Sequence, residues 1–325
     1  MASLEFLSWL RSGAPLVLDG ATGTELARRG VDTSLPLWSA RALIEAPDVL
    51  RAIHADYVRA GANILTTNTF RTHRRTLARA GFGDRARELT GLAVNMARLA
   101  AEETRRPSAR PVFIAGSMSP LEDCYSPHLV PPDDQLRAEH REMAGYLAEA
   151  GCDVLLVETM NTIREAVIAA EAAAATRLPV CVSFVAGPGG RPPDQVAASL
   201  SQSDQEMTLL SGESIQRAAA AVTPLAPAAV MINCVPLRII DRAFELLRYA
   251  AVVPVGLYAN VGHADDQIGW SLTDDVQPEA YAQHAKRWLA DGAAIVGGCC
   301  GTTPAHIARV SELLTVEPAD SPEPK

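Results

Sequence analysis

Six cysteines stand in the 325-residue chain, and their neighbours sort them by the chemistry each could do. Cys152, in Ala150-Gly-Cys-Asp153, and Cys181, in Pro179-Val-Cys-Val-Ser183, lie among apolar residues, where a free thiol serves as a small buried hydrophobe. Cys124 sits in a Pro-rich loop and carries no assigned role. Cys234 follows an asparagine at the end of an apolar run, and Cys299 and Cys300 are adjacent within Gly297-Gly-Cys-Cys-Gly301. Three thiols meeting at one point suit a borderline-soft cation, and zinc is the usual occupant, with Zn–S bonds of about 2.3 Å. Structural zinc sites are generally closed by four protein ligands, whereas three leave a position for a reactant. The competing reading of Gly297 to Thr303 is a phosphate-binding glycine loop, in which the thiols have no role. Spacing does not decide between them, because no Cys-x-x-Cys pair is present. The fold must bring the thiols together or keep them apart.

The elements that would do so recur in a regular order. Eight short β-rich apolar runs are read as strands: Leu16 to Asp19, Ala62 to Thr67, Val112 to Gly116, Asp153 to Glu158, Pro179 to Phe184, Ala228 to Asn233, Val253 to Tyr258 and Ala294 to Gly298. Segments with helical periodicity separate them, including Pro47 to Ala60, Asp84 to Glu103, Asp134 to Ala150, Ile163 to Ala175, Ser214 to Val222, Ile239 to Ala250 and Glu279 to Asp291. Strict alternation implies a parallel sheet, since each parallel pairing needs a crossover. Eight such units in this length match a single (β/α)8 TIM barrel over residues 1–315, with its active site at the C-terminal ends of the strands. An open dinucleotide-binding sheet is the weaker reading, because Asp19-Gly-Ala-Thr-Gly-Thr-Glu25 spaces its glycines wrongly for Gly-x-Gly-x-x-Gly. Gly187 to Gly212 reads as a long loop with a disordered middle and no assigned role, and residues 316–325 as a disordered acidic, Pro-rich tail.

In a barrel the last residues of each strand line the site. They include Asp19 and Gly20, Thr67, Ser117, Glu158, Ser183, Asn233 and Cys234, Tyr258 and Asn260, then Cys299 and Cys300. Thiols on the sixth and eighth strands can reach a common point, and the glycines around Cys299 and Cys300 would let both bend inward. Glu158 closes the apolar strand Val154-Leu-Leu-Val157, so it binds substrate, caps the next helix or pairs with an arginine. Asp19 has the alternative of bonding the amides of the turn Gly20 to Gly23, and Asn260 that of a turn residue before Gly262.

At 48% apolar residues the chain supports one sizeable core better than several small ones. Its net charge of −9 includes no basic stripe, which excludes the electrostatic footprint of a nucleic-acid or anionic-membrane binder. No apolar window reaches membrane-spanning length, and Met1 to Glu5 lacks the start of a secretion signal, so the expectation is a cytoplasmic protein acting on small molecules, with homo-oligomerisation left open. A Schiff-base aldolase fits poorly, because the only lysines, Lys286 and Lys325, end no strand.

With these residues placed, the chain resembles the homocysteine S-methyltransferase family, which includes betaine-dependent and S-methylmethionine-dependent enzymes and the homocysteine module of cobalamin-dependent methionine synthase. The resemblance runs from about Leu16 to Leu314. It rests on Asp19-Gly-Ala-Thr-Gly-Thr-Glu25, Leu37-Trp-Ser-Ala40, His54-Ala-Asp-Tyr57, Ala60-Gly-Ala62, Thr66-Thr-Asn-Thr-Phe70, Ala115-Gly-Ser117, Glu158-Thr159, Asn233-Cys234 and Gly297-Gly-Cys-Cys-Gly-Thr-Thr-Pro304. It implies a zinc-dependent enzyme that makes methionine from homocysteine, with Zn2+ on Cys234, Cys299 and Cys300. Homocysteine sulfur would take the fourth position. Glu158 matches the carboxylate for the substrate ammonium, the amides of Asp19 and Gly20 with Thr67 match the groups for its carboxylate, and Asn260 matches an asparagine near the metal.

The donor is narrowed by departures from the pattern. The chain carries one barrel, without folate and cobalamin domains. Arg71 stands where betaine enzymes have an aromatic, and the C-terminal tail is short. The reading left is a sulfonium donor such as S-methylmethionine, with Trp38 either a cation–π contact for it or a core or lid aromatic. The alternatives are another donor, a selenol or other thiol acceptor, and a non-catalytic zinc or thiol-metabolite binding protein.

Overall fold

The computed structural model describes residues 2–105, 110–192, 206–265, 269–271 and 277–314. Each expected strand is present: β1 (Leu16–Val17), β2 (Ile64–Thr66), β3 (Phe113–Met118), β4 (Val154–Met160), β5 (Val180–Phe184), β6 (Ala229–Pro236), β7 (Val255–Asn260) and β8 (Ile295–Gly298). All pair in parallel, with β1 beside β8 and the remaining strands following in chain order. A bridge between Leu18 and Ile64 closes β1 onto β2, reinforced by the Asn63 amide on the Val17 carbonyl at 2.7 Å and the Asp19 amide on the Ile64 carbonyl at 2.9 Å. The sheet is thus a barrel, ringed by the expected helices.

Side chains alternate across each strand, and here the two faces have different fates. Ile114, Leu155, Val157, Val182, Val230, Ile232, Leu257 and Val296 pack outward against the helices. Leu16, Phe113, Ala115, Val154, Leu156, Cys181, Met231 and Ile295 fill the barrel interior. The same period carried toward the C-terminal ends puts Ser117, Glu158, Ser183, Asn233 and Tyr258 in a topmost inward layer that is polar and buried. Cys152 and Cys181 are buried among apolar neighbours, as expected.

Three features depart from the expected boundaries. β4 and β6 run on past Glu158 and Asn233, and both slip register there, between Val157 and Met160 and between Asn233 and Pro236. A helix over Ala2–Ser12, absent from the sequence reading, plugs the opposite end of the barrel: Phe6 and Leu10 join the interior cluster, and Phe6 meets Phe113 edge-on at 5.3 Å. Its place is fixed by the Ser3 hydroxyl, which donates to the Asp153 carbonyl at 2.8 Å. The ends of the long loop after β5 form an antiparallel ribbon, Ala186–Pro188 with Met207–Leu209, while its middle and the tail 316–325 lie outside the described residues. Among the described residues no helix is long and apolar enough to cross a membrane.

Candidate active site and metal centre

Cys234, Cys299 and Cys300 bring their sulfurs within 4.8 Å of one another. The sequence reading expected the flanking glycines to let both adjacent cysteines bend inward. They do so because Cys299 and Cys300 have left the strand: the Thr302 amide donates to the Cys299 carbonyl at 3.1 Å, closing a turn in which Gly301 has φ +83°. A Cβ on Gly301 would lie 1.6 Å from the Val261 carbonyl oxygen, so only glycine fits. The Arg28 guanidinium, salt-bridged to Glu25 at 2.7 Å, braces the turn by donating to the Gly301 carbonyl at 2.7 Å. Cys234 reaches the same point from the bulge in β6, with φ +57°.

Hydrogen bonds from the Cys299 and Cys300 thiols hold the pKa of Cys234 well below the ordinary thiol range; the Tyr125 hydroxyl, 3.0 Å from its sulfur, and the Asn260 amide at 3.8 Å add to the effect against burial. Cys299 and Cys300 are pushed well above that range, first by their bonds to Cys234. A divalent ion held by these three sulfurs would take them as thiolates, so its binding would release protons. The residues fit such an ion. Asn260, between the two thiol-bearing strands, is no turn residue: it is buried on β7, its Nδ2 donates to the Cys234 sulfur at 3.8 Å, and its Oδ1 has no hydrogen-bond partner among the described residues.

Glu158 shares the mouth, 6% exposed, and among the described residues it neither caps a helix nor pairs with an arginine. Its Oε1 accepts from Ser117 and its Oε2 from Tyr258 at 2.9 Å. Burial outweighs these bonds and raises its pKa from 4.5 to about 7. Asp19 does not bond the turn at Gly20 to Gly23. Its Oδ2 accepts the Thr66 amide at 2.8 Å, and burial pushes its carboxyl well above the usual range. The Asp19 amide is taken by the Ile64 carbonyl, so of the two amides that the resemblance points to, that of Gly20 is the one left for a ligand. Gly20 itself is pressed between Thr302 and Tyr57, each 2.8 Å from where a Cβ would be. The Thr67 hydroxyl lies 2.8 Å from that of Thr69 and accepts the Ser117 amide at 3.1 Å, which fixes it at the same rim. Trp38 is half-buried, meets Phe70 edge-on at 6.0 Å, and takes φ +47°, an uncommon conformation for a bulky residue.

Tyr125 was not found from the sequence. It belongs to the segment after β3 that also carries Cys124, and that segment is pinned across the mouth by several bonds. Ser119 donates to the Phe70 carbonyl at 2.6 Å, the Leu121 amide to Glu165 at 2.8 Å, and Asn161 to the Cys124 carbonyl at 3.0 Å. Cys124 is consequently buried within electrostatic reach of Cys234. The only advance signal was a tyrosine beside a cysteine in an otherwise unassigned loop.

Comparison with known proteins agrees with this geometry. The sequence profile of the family described as homocysteine S-methyltransferase matches residues 16–314. The chain is 31% identical to a homocysteine S-methyltransferase of Escherichia coli strain K12, covering 90% of this chain and 93% of the relative. It is 28% identical to a selenocysteine methyltransferase of Astragalus bisulcatus, covering 94% of each. The crystal structure of the homocysteine methyltransferase MmuM from Escherichia coli, in its metallated form, superposes with a TM-score of 0.75 at 30% identity, covering 92% of this chain and 96% of that one.

Proposed function

The chain belongs to the homocysteine S-methyltransferase family, which transfers a methyl group to the thiol of homocysteine to give methionine, and from that premise we propose that it does so with zinc on Cys234, Cys299 and Cys300 and a sulfonium donor such as S-methylmethionine. The observation that carries the zinc reading is the convergence of three sulfurs within 4.8 Å of one another. A bound zinc ion lowers the pKa of a coordinated thiol, so that the nucleophilic thiolate is present at neutral pH.

The chain's own residues do the rest. Glu158, held by Ser117 and Tyr258, receives the substrate ammonium. The Gly20 amide and the Thr67 hydroxyl receive its carboxylate. Trp38, at the rim, offers its ring face to the sulfonium. The thiolate lone pair forms the new S–CH3 bond as the donor's S–CH3 bond breaks, and the donor sulfur leaves with that electron pair as a neutral thioether. No general base is required, so holding the two sulfurs in line is the main contribution of the barrel. A selenol would be methylated in the same way, a reading favoured by the similarity to the selenocysteine methyltransferase.

Metal analysis of the purified protein, combined with methionine formation over a panel of donors, tests the proposal. About one zinc per chain, with S-methylmethionine turned over much faster than betaine, is expected. Robust betaine turnover sinks the donor assignment.

A further inference from the structure

The segment following β2 is rich in arginine, and all but one of those arginines have an evident partner. Arg74 pairs with Glu142 at 2.8 Å, Arg75 with Glu139 at 2.5 Å and Glu122 at 3.1 Å, and Arg79 with Glu122 at 2.6 Å. Arg71 has no ion pair among the described residues, and its Nε is buried without a hydrogen-bond partner. Its guanidinium carbon lies 5.9 Å from the centre of the Phe70 ring, and that ring meets Trp38 at 6.0 Å with an interplanar angle of 73°. Trp38, Phe70 and Arg71 are all half-buried. Ser119, at the start of the segment that crosses the mouth, holds the Phe70 carbonyl at 2.6 Å and so fixes where the arginine emerges. Arg71 also acts electrostatically on Cys124, which lies in the field of Cys234, so its charge bears on the mouth of the barrel.

A guanidinium partly withdrawn from water, with its neighbours all paired, is left for an anion that a ligand brings. The fork of N–H donors matches a carboxylate in particular. We infer that Arg71 binds the carboxylate of the methyl donor, with Phe70 and Trp38 forming the aromatic wall along which the rest of the donor lies. This inference rests on the sulfonium reading above and narrows it: the donor is an amino-acid sulfonium whose acid group is recognised, and a simple alkyl sulfonium is a poor substrate. The carboxylate of homocysteine, already provided for at Gly20 and Thr67, does not need Arg71.

The test is steady-state kinetics of the metal-loaded enzyme with S-methylmethionine and with its carboxamide, at saturating homocysteine, for wild type, Arg71→Gln and Arg71→Lys. Loss of a charge-assisted pair should lower kcat/KM for S-methylmethionine by about ten- to a hundredfold in Arg71→Gln. Arg71→Lys should fall between, turnover of the carboxamide should be alike in all three, and KM for homocysteine should not move. An Arg71→Gln enzyme that prefers the acid over the carboxamide by the wild-type margin overturns the inference. So does a rise in homocysteine KM with unchanged donor kinetics, which would move Arg71 to the acceptor. If wild type uses a different donor from the panel and neither sulfonium, the sulfonium reading fails separately, and the acid and amide forms of that donor then test Arg71.

Discussion

The carboxamide of Asn233 clasps Thr159 from two strands away: its Oδ1 accepts the Thr159 amide at 3.0 Å, and its Nδ2 donates to the Thr159 hydroxyl at 2.8 Å. β5 lies between the two residues, and from it the Ser183 hydroxyl adds a third bond to the same Oδ1 at 2.6 Å. Thr159 has φ +61° and follows Glu158; Cys234 has φ +57° and follows Asn233. Neither residue type favours that conformation, which costs of order 1–3 kcal/mol each and persists only when surrounding bonds enforce it. One side chain therefore stabilises the bulge that aims the Glu158 carboxylate and adjoins the bulge that aims the Cys234 thiol.

Asn233→Ala should accordingly weaken metal binding and raise KM for homocysteine together, each by about tenfold or more, the range seen for residues that orient metal ligands. Ser183→Ala removes one bond and leaves the clasp on Thr159, so its effect should be smaller on both. Competitive metal titration and steady-state kinetics read the two effects independently. Wild-type metal affinity and KM in Asn233→Ala would show that the bulges hold themselves.

The thiols sit on the rim of a barrel whose core is filled without them, so metal and fold should separate. Cys299→Ala with Cys300→Ala should abolish stoichiometric metal while the far-ultraviolet circular dichroism stays that of the wild type. Cys152→Ala and Cys181→Ala should keep their metal but lose about 1–2 kcal/mol as small buried side chains are truncated. Full metal retention in the double variant would refute the assignment.

Glu158 makes pH informative. Its pKa rises from 4.5 to about 7 because it is buried, so in the ligand-free protein its stabilising contribution is complete below pH 4.5 and is lost as pH climbs through about 7. The loss amounts to about 3 kcal/mol for a shift of this size. Glu158→Gln, which cannot ionise, should match wild type at pH 4.5 and exceed it in stability at pH 8, measured by denaturant unfolding without substrate. Binding should show the opposite trend. Wild type should prefer homocysteine over the thiol lacking its amino group by a margin that grows through pH 7, and Glu158→Ala should lose about 1.5–3 kcal/mol of homocysteine binding along with that preference. A Glu158→Ala enzyme that keeps the margin would place the ammonium contact elsewhere.

Where the sequence was legible, the reason is repetition. Strands covered on both faces read as unbroken apolar runs, and eight of them separated by helices leave few folds to choose from. Cys234, Cys299 and Cys300 stood out because they follow strands that a barrel brings to one mouth, and Glu158 because it closes an apolar run with a charge that burial does not explain. The bulges at Thr159 and Cys234 were not, since positive φ is usually announced by glycine or asparagine and here falls on threonine and cysteine. Tyr125 meets Cys234 across 109 residues of chain, a contact set by how one segment is pinned and not by any local pattern. The plugging helix escaped for a related reason: it precedes the first strand, outside the strand–helix repeat, and nothing local says which of its apolar residues face the floor of a barrel.

That helix gives the last prediction. Phe6 is fully buried against Phe113 and the interior residues of the barrel, Leu10 lies one turn further along the same face, and Leu4 points away at 73% exposure. Phe6→Ala would open a cavity in a close-packed floor and should cost about 3–5 kcal/mol, the range for truncating a buried phenylalanine. Leu4→Ala should change stability by less than about 0.5 kcal/mol, as surface substitutions do. The active site lies at the opposite end, so kcat and KM of Phe6→Ala, measured well below its unfolding midpoint, should stay near wild type. A loss below about 1 kcal/mol would mean that the floor repacks without the ring. A fall in kcat at full folding would mean that the layer of Ser117, Glu158 and Asn233 is positioned from below, through Phe113 and the strands that carry it, and that the helix belongs to the catalytic scaffold.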